Sequence, residues 1–146
     1  MNGFDLIGAH IGEIDTMIDD WISQLGLGYN HFAVLHTLAS SPDGQCTQKQ
    51  ICQAYYLPKQ TVFNVCKEYK EKGWIDFQPS PQDKRERLMQ LTELGKQQAE
   101  PIVRRTNQLF DGALAQFGAE KSALLFSLMS EFCQVCYAQM DKLKEG

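Results

Sequence analysis

Between Thr47 and Thr92 the sequence sets two short helical segments back to back, then two strand-like runs around a polar loop. That order leaves few folds open. Its centre is Leu57-Pro58-Lys59-Gln60-Thr61-Val62-Phe63-Asn64-Val65-Cys66-Lys67. Pro58 suits a first helical position, where no amide partner is needed and φ is already set. Val62, Val65, Cys66 and Tyr69 recur at helical spacing and make one apolar stripe. Lys59, Gln60, Thr61, Asn64 and Lys67 fall on the other face or at its N-terminal edge. All are polar, none is acidic, and most can donate hydrogen bonds. Gly73 reads as a left-handed cap that closes the helix. A short helix showing donors without carboxylates suits a DNA major groove. Taken alone, the same face also fits a merely solvated helix.

The flanking segments bear on that choice. Thr47-x-x-Gln50 matches a capping box, so Thr47 to Tyr56 reads as a helix with Ile51 and Ala54 facing in. Only Leu57 separates it from the donor-rich helix, which makes a helix-turn-helix candidate. Trp74 to Pro79 reads as a strand, and Arg87 to Leu91 as its return. The polar loop between them holds Pro79 and Pro81, which disfavour helix. Thr92 is the expected N-cap of a further helix, with Glu93 in its first turn.

Outside this stretch the chain reads as helix. Phe4 to Leu25 places apolar residues three or four apart, with Glu13, Asp15, Asp19 and Asp20 on the polar side. Tyr29 to Ala39 is a second helix, followed by a loop at Ser40 to Gly44. Glu93 to Phe117 is long, with Pro101 as a potential kink, and Glu120 to Leu143 is the last. The fold class expected is mainly α with a small β-hairpin wing (α+β). The terminal helices carry more apolar surface than a small winged unit covers, and a second copy of the chain would bury it. The expected division is a helical dimerisation region at 1–28 and 118–146. Residues 29–117 would form the winged helix-turn-helix with its connecting helix.

Composition bounds the function. Hydrophobic residues at 43% suffice for a core. No run approaches the roughly 20 apolar residues of a membrane span, and the N-terminus lacks a basic region leading into an apolar stretch, as a secretory signal would have. Five cysteines, an odd number, point to reduced thiols in a cytoplasm. The net charge of −4 is unevenly spread. Met1 to Gln45 carries −6, Cys46 to Arg87 carries +3, and the rest carries −1. The positive segment holds the donor-rich helix, and the acidic remainder would weaken non-specific DNA binding.

The order of elements resembles the MarR-type (multiple antibiotic resistance regulator) transcription factors over nearly the whole chain. Asp83-Lys84-Arg85 followed by Leu91-Thr92-Glu93-Leu94-Gly95-Lys96 is similar to the family's wing signature. Lys59 to Gly73, ending Tyr69-Lys70-Glu71-Lys72-Gly73, is similar to its recognition helix. Leu27 to Leu35 is similar to the segment before the DNA-binding module. The resemblance implies an obligate homodimer on a pseudo-palindromic operator in double-stranded DNA, usually as a repressor. It also implies release by a small aromatic or anionic effector, or by thiol oxidation. On that reading the helix Pro58 to Lys72 enters the major groove, Pro58 included in the contact, and Gln60, Thr61 and Asn64 reach base edges. Lys59, Lys67 and the helix start at Thr47 and Gln48 meet phosphates. Arg85 enters a minor groove, with Lys84 and Arg87 adding backbone charge. Asp83 holds the wing by a local salt bridge. The chain departs from the family at Asn64, where many members have arginine. Gln60 and Phe63 replace small residues, and Gly28 replaces a common threonine. The departures in the helix imply an unusual operator. Phe63 is suited either to a thymine methyl or to the core.

Other features carry less. Cys133-Gln134-Val135-Cys136 sits in a helix without the βαβ context of a redox motif, and reads as two packed thiols. Cys46 precedes a helix start, where a thiolate is stabilised, and is the best redox candidate. Cys52 and Cys66 read as core. His10, His31 and His36 are scattered, so no metal site and no cofactor is expected. Trp21, Tyr29 and His36 are candidates to line an effector pocket, although aromatic residues at helical spacing more often mean core. No acid–base pair, activated nucleophile or phosphate loop argues for an enzyme. The class competing with a DNA-binding repressor is a winged module that has kept dimerisation or protein interaction and lost DNA.

Overall fold

In the computed structural model, which describes residues 1–82 and 85–145, the helix after Thr47 starts where its capping box puts it. Thr47 Oγ1 accepts from the Gln50 amide at 3.1 Å, and Gln50 Oε1 accepts from the Thr47 amide at 2.8 Å. The elements in order are α1 (Gly3–Gln24), α2 (Tyr29–Ser40), a 3-10 turn (Pro42–Gly44), β1 (Gln45–Thr47), α3 (Gln48–Tyr55) and α4 (Lys59–Glu71). β2 (Ile75–Pro79), β3 (Arg87–Leu91), α5 (Glu93–Phe117) and α6 (Ala119–Glu145) complete the chain. The protein is a mainly helical winged helix-turn-helix, as its sequence pattern leads one to expect.

Three details differ from expectation. The wing is rooted in three antiparallel strands in the order β1-β3-β2, not in a two-stranded hairpin. β1 pairs Cys46 with Met89 and Thr47 with Leu88, while β2 pairs Ile75 with Leu91 and Pro79 with Arg87. Pro58 is the N-cap of α4 with an extended ψ of 145°, one residue before the first helical position. Its carbonyl accepts from the Val62 amide at 3.2 Å. Ala54 is exposed. Ile51 and Tyr55, one turn apart, occupy the inner face, and the small Ala54 is left at its edge.

The chain forms two compact units, the first Met1–Arg104 and the second beginning at Arg105. The first takes in α1. Its core gathers Val34, Leu35 and Leu38 of α2, Ile51 of α3, Val62, Val65, Cys66 and Tyr69 of α4, and Ile75, Met89 and Leu91 of the sheet. Each fully buried aliphatic side chain contributes roughly 1.5–3 kcal/mol. Exposed ion pairs contribute about 0–1 kcal/mol, so packing sets the orientation of α4. Tyr69 fixes it further. Its ring stacks on Trp74 at 5.0 Å and its hydroxyl donates to the His31 carbonyl at 2.9 Å.

Beside that anchor, His31 Nε2 lies 2.6 Å from Glu68 Oε2 and ties α2 to α4 at the surface. The hydrogen bond and charge of His31, with help from Lys72, hold the Glu68 carboxyl below its usual range. A lowered carboxylate stabilises the fold above its unfolded pKa and loses that contribution as pH falls through the lowered value. The thermal midpoint is therefore expected to fall more steeply below about pH 4.5 in the parent chain than in Glu68→Gln. Calorimetric scans over a pH series measure the difference.

Candidate nucleic-acid interface

The α4 stripe that fills the core leaves its opposite side to solvent. Lys59, Gln60, Asn64 and Lys67 are exposed, and Thr61 is half-buried at the edge. From Lys59 to Lys67 there is no acid. Gln60 Nε2 donates to Asn64 Oδ1 at 2.9 Å, so two of the expected base-reading amides are already paired. Phe63 keeps 41% of its surface exposed and stands beside them. It belongs to the outer face of α4, not to the core.

The turn between α3 and α4 is tight. Tyr56 caps α3 in the left-handed region at φ 53°, and its side chain is 93% exposed. A non-glycine residue there costs about 1 kcal/mol or more. Pro58 follows as an exposed cap, which starts α4 without spending a side-chain hydrogen bond.

Between α3, α4 and the wing strands lies a cleft of about 650 Å³. Lys49, Lys59, Arg85 and Arg87 supply positive charge to its walls, against Glu86 alone. Thr47, Gln48, Cys52 and Phe63 complete the lining. The sequence pattern did not single out Lys49. Its position two residues into α3 was the signal available, since helix starts attract anions. The Thr47 amide and the acceptor side of its hydroxyl are engaged by the capping box. As a donor, Thr47 therefore offers only its hydroxyl hydrogen. Gln48 Nε2 is buried without a partner.

Arg87 sits at the start of β3 with its guanidinium 5.1 Å over the Phe77 ring. Ser80, buried at the end of β2, donates its amide to the Glu86 carbonyl at 3.2 Å and closes the root of the wing. Arg85 is exposed next to this root. Asp83 and Lys84, expected as the wing salt bridge and a backbone contact, lie outside the described residues.

The root is joined to α5 through Thr92. Its amide donates to the Trp74 carbonyl at 2.9 Å and its hydroxyl to the Gly73 carbonyl at 2.6 Å. The same hydroxyl accepts from the Gly95 amide at 3.1 Å and caps α5. Gly73 adopts φ 77°, the left-handed cap its position predicts.

Of the candidate effector residues, His36 and Tyr29 converge on Tyr55. Its hydroxyl lies 3.2 Å from His36 Nδ1, and the Tyr29 ring meets it edge-on at 6.1 Å. Burial lowers the His36 pKa and raises that of Tyr55. Trp21 is half-buried on α1 and is held by interactions of its own.

Cys46 corrects the expectation of a stabilised thiolate. It lies within β1, 2% exposed, and burial pushes its thiol up to about 11. Desolvation outweighs the nearby helix start. Cys66 is buried as expected and is pushed up to about 12. Cys133 is exposed and Cys136 half-buried, so within one chain the pair is not packed as its spacing suggests. Among the described residues, no group of three or more His, Cys, Asp or Glu is placed to hold a metal ion. Among them, too, no helix is long and apolar enough to cross a membrane.

Comparison with known proteins agrees with this architecture. The profile of the MarR family matches residues 25–86, which runs from the end of α1 through the wing loop. The structure of NMB1585, a MarR family regulator from Neisseria meningitidis, is 39% identical, with a TM-score of 0.85. That match covers 97% of this chain and 99% of the other. The HTH-type transcriptional regulator YdcH of Bacillus subtilis is 37% identical over 70 residues. Those residues make up 46% of this chain and 48% of YdcH, about half of its length. A DNA complex of S. aureus MepR shares the fold at 18% identity, with a TM-score of 0.69 over 92% of this chain and 98% of that one.

Proposed function

Because this chain belongs to the MarR family of transcriptional regulators, we propose that it is a homodimeric, sequence-specific repressor that binds a pseudo-palindromic operator and leaves it when a small aromatic or anionic ligand binds. The observation that carries this reading is the outer face of α4. It presents Lys59, Gln60, Asn64 and Lys67 to solvent with no carboxylate among them. α4 enters the major groove, where amide side chains suit adenine and Phe63 meets a thymine methyl. Lys59 and Lys67, with the start of α3 at Thr47 and Gln48, take phosphates. Arg85 reaches the minor groove and Arg87 grips the backbone. Tyr29 and His36, which meet at the half-buried Tyr55, are the proposed effector residues, together with Trp21 on α1. The protein acts in the cytoplasm, without a cofactor and without enzymatic turnover.

A salt titration tests the reading. Binding to an A·T-rich duplex is expected to weaken steeply with salt, because each phosphate contact releases counterions. Arg85→Ala is expected to weaken binding to every sequence and to lower the slope of log affinity on log salt by about 1. Fluorescence anisotropy across a salt series measures both. A flat slope in the parent chain would favour a dimerising module that has lost DNA. An unchanged slope in Arg85→Ala would remove the wing from the interface.

A further inference from the structure

The hydrogen bond between Gln60 and Asn64 restricts what either residue can show to a base. Both side chains are exposed, one helical turn apart, and Gln60 Nε2 donates to Asn64 Oδ1 at 2.9 Å. A carboxamide has one acceptor oxygen and two N–H donors. The bond takes one hydrogen of Gln60 and the oxygen of Asn64. Outward, Gln60 keeps its Oε1 acceptor and one N–H, while Asn64 keeps both N–H donors and one lone pair of Oδ1. Adenine offers an N7 acceptor and an N6 donor in the major groove, and guanine offers two acceptors. Gln60 as held therefore complements adenine. An unrestrained glutamine can turn its terminal amide over, present both hydrogens, and accept guanine. Turning Gln60 alone in this structure would set Oε1 against Asn64 Oδ1, acceptor facing acceptor.

We propose that Asn64 sets the base preference of Gln60: the pair reads DNA as one unit, and the bond between them, with Gln60 as the donor, makes Gln60 selective for adenine. The inference rests on the reading of α4 as the groove-facing helix. It gives Asn64 a positioning role beyond any contact of its own. Specificity at one base pair then depends on a residue that touches another.

Selection from a pool of randomised duplexes tests this with the full chain. Gln60→Ala first identifies the base pair that Gln60 reads, as the position where preference disappears. In the parent chain that position is adenine. In Asn64→Ala the preference for adenine over guanine there falls about tenfold or more, the size of one bidentate contact. Asn64→Asp still accepts from Gln60 Nε2 and retains adenine at that position, while its own base preference changes. This arm separates orientation from any general damage to the helix. If the parent chain enriches no sequence, the DNA-binding reading fails and the inference with it. If it enriches a sequence but selects a base other than adenine there, or if Asn64→Ala leaves the adenine preference intact, the coupling is wrong and the DNA-binding reading stands.

Discussion

Replacing Gly95 with alanine is expected to lower the thermal midpoint by about 10 °C. A Cβ at this position would lie 2.0 Å from the Trp74 carbonyl oxygen and 2.9 Å from its carbon. Neither atom belongs to a flexible side chain. The carbonyl is held in place because it accepts from the Thr92 amide at 2.9 Å. Leu91 Cδ2, at 3.1 Å, blocks the other direction. The added methyl must part the start of α5 from the entry to β2, and with them the two hydrogen bonds of the Thr92 hydroxyl. Overpacking of this kind costs about 3 kcal/mol at the upper end of its range, and a domain of this size loses roughly 3–4 °C per kcal/mol. Differential scanning calorimetry of the two proteins gives the answer. A shift below about 2 °C, well under the cost of one kcal/mol, would mean the contact is slack. The same geometry accounts for the glycine in Leu91-Thr92-Glu93-Leu94-Gly95: the threonine caps α5, and the glycine lets the cap close on the Trp74 carbonyl.

The second large effect concerns assembly. Leu128→Lys combined with Phe132→Lys is expected to turn a dimer into a monomer at micromolar concentration. In the second unit, α6 leaves Leu124, Leu128, Phe132, Val135 and Met140 about half exposed. In the first unit, α1 does the same with Ile11, Ile14 and Met17, and leaves Phe4 almost fully exposed. Exposed apolar area on this scale marks an interface. The proposed occupant is a second copy, whose residues 1–28 and 118–146 supply a matching surface. Operator affinity is then expected to fall on the order of 100-fold or more, because the two half-sites are no longer engaged together. Sedimentation equilibrium reads the assembly, circular dichroism the retained helix, and anisotropy the binding. A parent chain that sediments as a monomer, or a variant that stays dimeric, would refute the assembly proposed.

Much of this fold is written in local chemistry. Thr47-x-x-Gln50, the stripe from Val62 to Tyr69, Gly73 and Thr92 each act through neighbours a few residues away, and each reads correctly from sequence. β1 does not. Three residues are too few for a period-2 pattern, and their partners, Leu88 to Gln90, lie more than forty positions along the chain. The burial of Cys46 follows from that pairing and is hidden for the same reason. Pro58 falls one position before the helical place its ring suggests, because its fixed φ fits the cap as well as the residue after it. The outer face of α4 was legible as a list of donors. The bond between Gln60 and Asn64 was not, since spacing allows such a pair without requiring it.

The pairing of Thr47 with Leu88 has a mechanical outcome. Thr47 ends β1 and also caps α3. β1, paired with the β3 strand that bears Arg87, and the helix pair proposed to read the duplex thus meet at one residue, Thr47. On the proposed reading of this face, a duplex whose groove spacing does not match would have to twist or bend to meet both elements.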